Sequence, residues 1–140
     1  MSQTWTTHSA EETEKLGETL ANVLPNGGVL ALFGGMGAGK TAFVRGFARG
    51  CGITSPVSSP TFALVHDYGG KPPLVHFDMY RIGGWEDLYT TGYYDYLDMG
   101  ALLVVEWSEN IEAALPPDAV RLQFTVVDEY TRRIERIENA

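Results

Sequence analysis

Apolar positions along the chain change period several times, and each change marks a new element. Between Ser9 and Pro25, residues Thr13, Leu16, Leu20, Ala21 and Leu24 recur at helical spacing and form one covered stripe. Ser9 and Glu12 spell a capping box at its start, and Pro25-Asn26-Gly27-Gly28 stops it. The run 28–33 is apolar at every position after its glycine, the pattern of a strand covered on both faces. Phe43, Val44, Phe47 and Ala48 return to a helical face, which Gly50 and Gly52 end. Pro56 and Pro60, set among small hydroxyl residues, predict an extended, exposed loop over 53–61. Residues 62–68 then alternate, with Phe62, Leu64, His66 and Tyr68 on one side. Gly69-Gly70 separates them from the apolar run 74–78, so the two predict a hairpin. Residues 83–98 predict one or two short helices broken at Gly92. The run 101–107 is a buried strand ending in Glu106, and 110–115 is a short helix stopped by Pro116-Pro117. Val120, Leu122, Phe124 and Val126 alternate with polar residues, and 130–137 follows as the hairpin partner.

One stretch adds chemistry to this pattern. Gly34-Gly35-Met36-Gly37-Ala38-Gly39-Lys40-Thr41 satisfies G-x-x-x-x-G-K-[ST], the phosphate-binding P-loop, with a strand before it and a helix after it. Glycines let backbone N–H groups turn inward and approach phosphate oxygens. Lys40 is placed to reach the β- and γ-phosphates, Thr41 to ligate Mg²⁺, and the helix dipole points at the same anion. The expected fold is therefore α/β: a single P-loop NTPase domain over 1–140, its mixed sheet combining a parallel core with antiparallel hairpins and flanked by helices.

Two acids stand at strand ends. Glu106 closes an apolar strand in the manner of a Walker B acid, set to orient the metal's water shell or an attacking water. Asp78 ends the run 74–78, at the edge where open α/β sheets hold ligands; an ordinary turn-initiating aspartate is the alternative. Thr61 is the candidate γ-phosphate sensor in the loop after the P-loop helix, where a plain connection is the other reading. His66 and His76 read as packed, hydrogen-bonded residues, and no Cys/His spacing supports zinc. Tyr80 to Tyr96 includes five tyrosines, suited equally to an interface and to half-buried cover. Arg132 and Arg133 read as solvated edge charges, with contact to the nucleotide or another protein as the alternative.

Composition narrows the setting. With 18 acidic against 10 basic residues the net charge is −8, so a nucleic acid would have to be held by another protein. No long apolar run or signal segment is present, and the single cysteine, Cys51, reads as a small packing residue; a cytoplasmic protein is expected. Three functions compete. No asparagine is followed by lysine, so the Asn-Lys-x-Asp guanine selector of GTPases is missing, and Asp67 to Gly70 fits Asp-x-x-Gly only within the hairpin turn. A small-molecule kinase needs an arginine-bearing lid, and none is evident. A non-hydrolytic nucleotide-switched interaction module differs from an ATPase only in whether Glu106 and Asp78 activate water.

Taken in order, Gly34 to Thr41, Ser59-Pro60-Thr61-Phe62, His76-Phe77-Asp78-Met79-Tyr80-Arg81 and Val105-Glu106-Trp107 resemble the bacterial tRNA threonylcarbamoyladenosine biosynthesis ATPase family, TsaE, over nearly the whole chain. The P-loop is too widely shared to make that match; the His-Phe-Asp-x-Tyr-Arg and Glu-Trp blocks make it specific. The resemblance implies a small cytoplasmic ATPase using ATP and Mg²⁺, weakly active alone. It implies two partner proteins that install threonylcarbamoyl on the adenosine following the anticodon of certain tRNAs, with tRNA reached only through them. Hydrolysis would serve turnover or resetting of that complex. By the same resemblance Lys40 holds phosphate, Thr41 and Glu106 serve Mg²⁺, Asp78 is needed for hydrolysis, and Thr61 lies in a switch loop. Trp107, Ser9, Ala10 and Arg132 correspond to nucleotide-contacting positions. The chain departs from the family at Gly35, commonly Asp, at His66, often Glu, and at Ser108, often Pro; none of these is a phosphate or metal ligand.

Overall fold

The central strands carry apolar residues on both sides, so the sheet they build must be covered on both. The computed structural model describes residues 3–22, 28–35, 37–54, 65–70 and 72–137. In chain order the elements are β1 (Gln3–Thr7), α1 (Ala10–Leu20), β2 (Gly28–Phe33), α2 (Lys40–Gly50), β3 (Val65–Asp67), β4 (Leu74–Asp78), α3 (Trp85–Thr90), α4 (Tyr93–Asp98), β5 (Leu102–Glu106), a 3-10 helix (Ser108–Ala114), β6 (Val120–Val126) and β7 (Arg132–Ile137). The seven strands form one sheet in the order β1-β7-β6-β2-β5-β4-β3. β6, β2, β5 and β4 run parallel, while β3, β7 and β1 add antiparallel edges. The expected mixed sheet with flanking helices is the observed one.

Strand periodicity divides the core in two. Leu30, Leu32, Val104, Leu122 and Phe124 face Phe43, Val44 and Phe47 of α2 on one side. Val29, Ala31, Val75, Phe77, Leu103 and Val105 face Leu88, Tyr93 and Ile111 on the other. Burial on this scale makes single truncations expensive; removing a ring such as Phe43, fully buried, costs about 3–5 kcal/mol.

α1 lies unusually close to α2, and glycines allow it. A Cβ on Gly46 would sit 1.6 Å from the Glu14 carbonyl oxygen, and one on Gly17 would sit 2.1 Å from that of Phe43. The contact is also bridged by charge: Arg49 reaches Glu14 at 2.6 Å and Glu18 at 3.1 Å, and Arg45 reaches Glu14 at 3.7 Å. The basic residues that follow the P-loop in sequence are thus engaged by α1 rather than forming a patch.

Several boundaries differ from expectation. β1 was not expected: its Gln-Thr-Trp-Thr-Thr is β-prone but carries only one apolar residue, Trp5, which packs partly against the α1–α2 side of the core. α1 ends at Leu20, with Ala21 as its C-cap, and Leu24 to Gly27 lie outside the described residues. The capping box forms with a shift: Ser9 accepts from the Glu12 amide at 3.1 Å, but Glu12 accepts from the His8 amide, one residue before the cap. The 3-10 helix starts at Ser108, whose buried hydroxyl donates to the Val105 carbonyl at 2.8 Å. β7 starts at Arg132 rather than Tyr130. Val126, expected on the covered face, is 50% exposed because β6 runs past the core at that end. Cys51 is exposed rather than packed, although local desolvation still pushes its thiol pKa up. The helices of 83–98 break at Gly92 as expected, with Tyr93 buried and Trp85, Tyr89 and Tyr94 exposed. No helix among the described residues is long and apolar enough to cross a membrane.

Candidate functional site

Parallel strands end together, so their C-terminal ends share one edge. β2 leads into Gly34, β4 ends at Asp78 and β5 at Glu106; in register, Leu32 and Asp78 flank Glu106 on its two sides. Above this edge opens a cavity of about 610 Å³. Its floor is Gly37 to Ala42, and Asp78, Glu106 and Trp107 line one wall. Ser9, Ala10 and Thr13 of α1 line another, and Glu129, Tyr130 and Arg132 of the β6–β7 hairpin close the rim. The close α1–α2 approach puts the α1 wall there: Thr13 Cγ2 lies 3.5 Å from where a Cβ of Gly39 would stand. Gly37 and Gly39 both adopt positive φ, 74° and 95°, which the loop needs to present its amides.

Lys40 is 95% buried by the surrounding side chains, since only 5% of it is exposed. Its Nζ donates to the Gly34 carbonyl at 2.5 Å and stands 3.9 Å from the centroid of the Trp107 ring. Burial pushes the Lys40 pKa down, and the carboxylates of Glu106, Glu109 and Asp78 offset part of that fall. Trp107 reaches this place through a left-handed backbone, φ 60° and ψ 41°, the only positive φ at a non-glycine among the described residues. Its ring also meets Tyr80, with centroids 4.9 Å apart. A costly backbone conformation held at a cavity wall is the kind of strain found at functional sites.

The Thr41 hydroxyl faces Glu106, at 3.3 Å and 3.5 Å from its two carboxylate oxygens. Glu106 is 4% exposed and also accepts from His76 Nε2 at 2.6 Å. Asp78, 6% exposed, accepts from the Tyr80 amide at 2.9 Å, so it both starts a turn and faces the cavity. Arg132 donates from Nε to the Gly37 carbonyl at 3.0 Å, tying the hairpin to the P-loop, whereas Arg133 turns outward to Glu135.

Of the residues singled out in the sequence, the structure gathers Ser9, Ala10, Gly37, Ala38, Gly39, Lys40, Thr41, Asp78, Glu106, Trp107 and Arg132 around one cavity. Gly34 lies beneath it and Gly35 is exposed beside it. Met36 and Thr61 lie outside the described residues, as do 55–64, which take in most of the expected loop 53–61 and the start of the expected strand 62–68. The Asp67 of the Asp-x-x-Gly stretch instead caps the β3–β4 turn by accepting from the Gly69 amide at 2.9 Å. Several residues were missed. Glu109 accepts from the Gly34 amide at 3.1 Å and anchors the start of the P-loop, a long-range pairing with no local signal. Thr13, Ala42, Tyr80, Arg81, Glu129 and Tyr130 line the cavity; Tyr80 and Arg81 lie two and three residues after Asp78, in the His-Phe-Asp-x-Tyr-Arg block, and that was the signal that could have found them.

Among the described residues no cluster of three or more His, Cys, Asp or Glu could hold a metal ion by itself. The hydroxyl of Thr41 and the carboxylate of Glu106 are hard oxygen donors, the partial set that suits Mg²⁺ when a phosphate supplies the rest.

Known proteins resemble this chain in sequence and fold. The family described as Threonylcarbamoyl adenosine biosynthesis protein TsaE matches residues 7–134. The tRNA threonylcarbamoyladenosine biosynthesis protein TsaE of Treponema pallidum is 36% identical over 126 residues, covering 90% of this chain and 93% of its own. That of Bacillus subtilis is 42% identical over 124 residues, covering 87% and 75%. The crystal structure of Bacillus subtilis YdiB aligns over 100% of this chain and 87% of its own, with a TM-score of 0.81 and 32% identity.

Proposed function

Because this chain belongs to the TsaE family, whose place is tRNA threonylcarbamoyladenosine biosynthesis, we propose that it is the Mg²⁺-dependent, ATP-binding and ATP-hydrolysing subunit of that modification, weakly active alone and driven by partner proteins. The observation that carries this reading is the meeting of Lys40 and Thr41, at the start of α2, with Glu106, at the end of β5, at the cavity.

In this reading the P-loop amides and Lys40 hold the β- and γ-phosphates. To do so Lys40 leaves the Gly34 carbonyl and Trp107 face, exchanging a neutral acceptor for a charged one, which is the stronger bond. Thr41 and Glu106 hold Mg²⁺, which when bound screens the phosphate charge and polarises the γ-phosphoryl group. Glu106 and Asp78 orient the attacking water from the strand ends. Ser9, Ala10 and Thr13 supply a wall for the nucleoside, Arg132 closes the far side, and Thr61 senses the γ-phosphate. The cavity volume lies within the range of small-ligand sites, about 300–1,000 Å³.

The protein's acidity agrees with a subunit that leaves tRNA to its partners, two in number, in the cytoplasm. The test is reconstituted tRNA modification with those two partner proteins. Repeated rounds of threonylcarbamoyladenosine formation should require this protein and hydrolysable ATP. Equal rounds with Lys40→Met, or phosphate found on a small-molecule acceptor instead of released, would overturn the reading, the second in favour of a kinase.

A further inference from the structure

We propose that His76 is a positioning residue that sets the orientation of Glu106; the inference rests on the reading of Glu106 given above. His76 sits on β4, between β5 and the edge strand β3, is fully buried, and approaches Glu106 Oε2 with its Nε2 at 2.6 Å. A carboxylate can only accept, so Nε2 carries the hydrogen and donates it. The other ring nitrogen, Nδ1, has no hydrogen-bond partner among the described residues. An imidazole placed for packing alone would leave both nitrogens desolvated to no advantage, where Leu or Phe would fill the same space without a polar atom. What the ring does supply is one short, directed bond to the acid at the end of the neighbouring strand.

That bond matters because Glu106 has little else to hold it. Its other hydrogen-bond partner among the described residues is the Thr41 hydroxyl, at 3.3 Å and 3.5 Å, long distances for O–H donation. The His76 bond occupies Oε2 from the buried side and leaves Oε1 turned toward Thr41 and the cavity. Partners that orient a ligating carboxylate typically change metal affinity or activity by about 10- to 100-fold when lost.

The experiment compares His76→Leu, His76→Asn and His76→Gln with the parent chain, alongside Glu106→Ala. The Gln amide nitrogen can approach the place of Nε2, whereas the Asn amide is too short. The Leu and Asn variants should need about 10-fold or more Mg²⁺ for half-maximal ATP hydrolysis and lose kcat more than KM rises. His76→Gln should recover most of that loss. ATP affinity measured with EDTA should stay within about 2-fold of the parent in all three, which a general packing defect would not allow. In the metal-free, nucleotide-free protein, the ¹⁵N spectrum should show His76 protonated at Nε2, with that signal shifted in Glu106→Ala.

Parent-like Mg²⁺ dependence in both His76→Leu and His76→Asn would overturn the positioning role, as would a His76 protonated at Nδ1. If Glu106→Ala loses hydrolysis in the same series, the reading of Glu106 survives that failure. Should His76→Leu not fold, the Asn and Gln pair decides: equal behaviour of the two overturns the proposal.

Discussion

The Thr41 hydroxyl and the Glu106 carboxylate lie 3.3 Å apart although 65 residues separate them in the chain. Neither is brought there by local sequence. Thr41 is fixed by the turn that ends β2, and Glu106 by its register opposite Leu32 on the neighbouring parallel strand. Sliding β5 by a single residue would turn Glu106 to the opposite face, so the register of β5 on β2 is what aims the acid.

Lys40 carries a cost in the empty protein. Its pKa is lowered by burial, so the folded state holds that proton less tightly than the unfolded chain does. By linkage the charge destabilises the fold at neutral pH, and that cost fades as pH rises past the folded value toward the ordinary 10.5 of the unfolded chain. Lys40→Met should therefore melt no lower than the parent at pH 7 while weakening ATP binding about 10- to 100-fold, the worth of a charge-assisted hydrogen bond at ~1.5–3 kcal/mol. Calorimetric titration and a thermal melt check both halves. Parent-like ATP affinity refutes the phosphate-holding role.

The α1–α2 contact predicts a stability effect set by the close approach of two backbones. Gly46→Ala forces a Cβ onto the Glu14 backbone and should cost at least about 1–3 kcal/mol, lowering Tm by several degrees. Because α1 forms a wall of the cavity, ATP affinity should fall with it. Gly84→Ala, whose Cβ would meet nothing within 4 Å, is the control and should move stability by no more than about 0.5 kcal/mol. Equal melting temperatures for the two variants would contradict the packing account.

Gly35 stands where the resemblance to the family leads aspartate to be expected, yet its backbone does not demand glycine. It has no left-handed φ, and a Cβ there would meet nothing within 4 Å. Gly35→Asp should fold with stability within about 0.5 kcal/mol of the parent, as read from chemical denaturation. A larger loss would show a constraint on the loop that its open surroundings do not reveal.

The sheet and the P-loop edge were legible because their signals are local: continuous apolar runs for β2 and β5, a spelled motif at Gly34 to Thr41, and acids at two strand ends. β1 was not legible, since a threonine-rich edge strand with one half-buried Trp has no period to read. The glycines at 17 and 46 mislead in sequence, where a mid-helix glycine suggests weakness rather than close contact with another backbone. Glu109 on Gly34 and His76 on Glu106 depend on strand order and register, which no spacing along the chain encodes. His76 was rightly expected to be packed and hydrogen-bonded, but its partner could not be named before the register of β4 on β5 was known.

The most direct measurement is phosphate release from ATP by the parent chain and by Glu106→Gln, each alone and with the two partner proteins. The parent should be slow alone and accelerated by the partners, with hydrolysis requiring Mg²⁺. Glu106→Gln should still bind ATP but hydrolyse it about 100-fold more slowly or worse in both settings, the loss expected when a positioned acid–base group is removed. Equal rates for parent and Glu106→Gln, or a parent rate unchanged by the partners, would contradict the account of this site as a partner-driven ATPase.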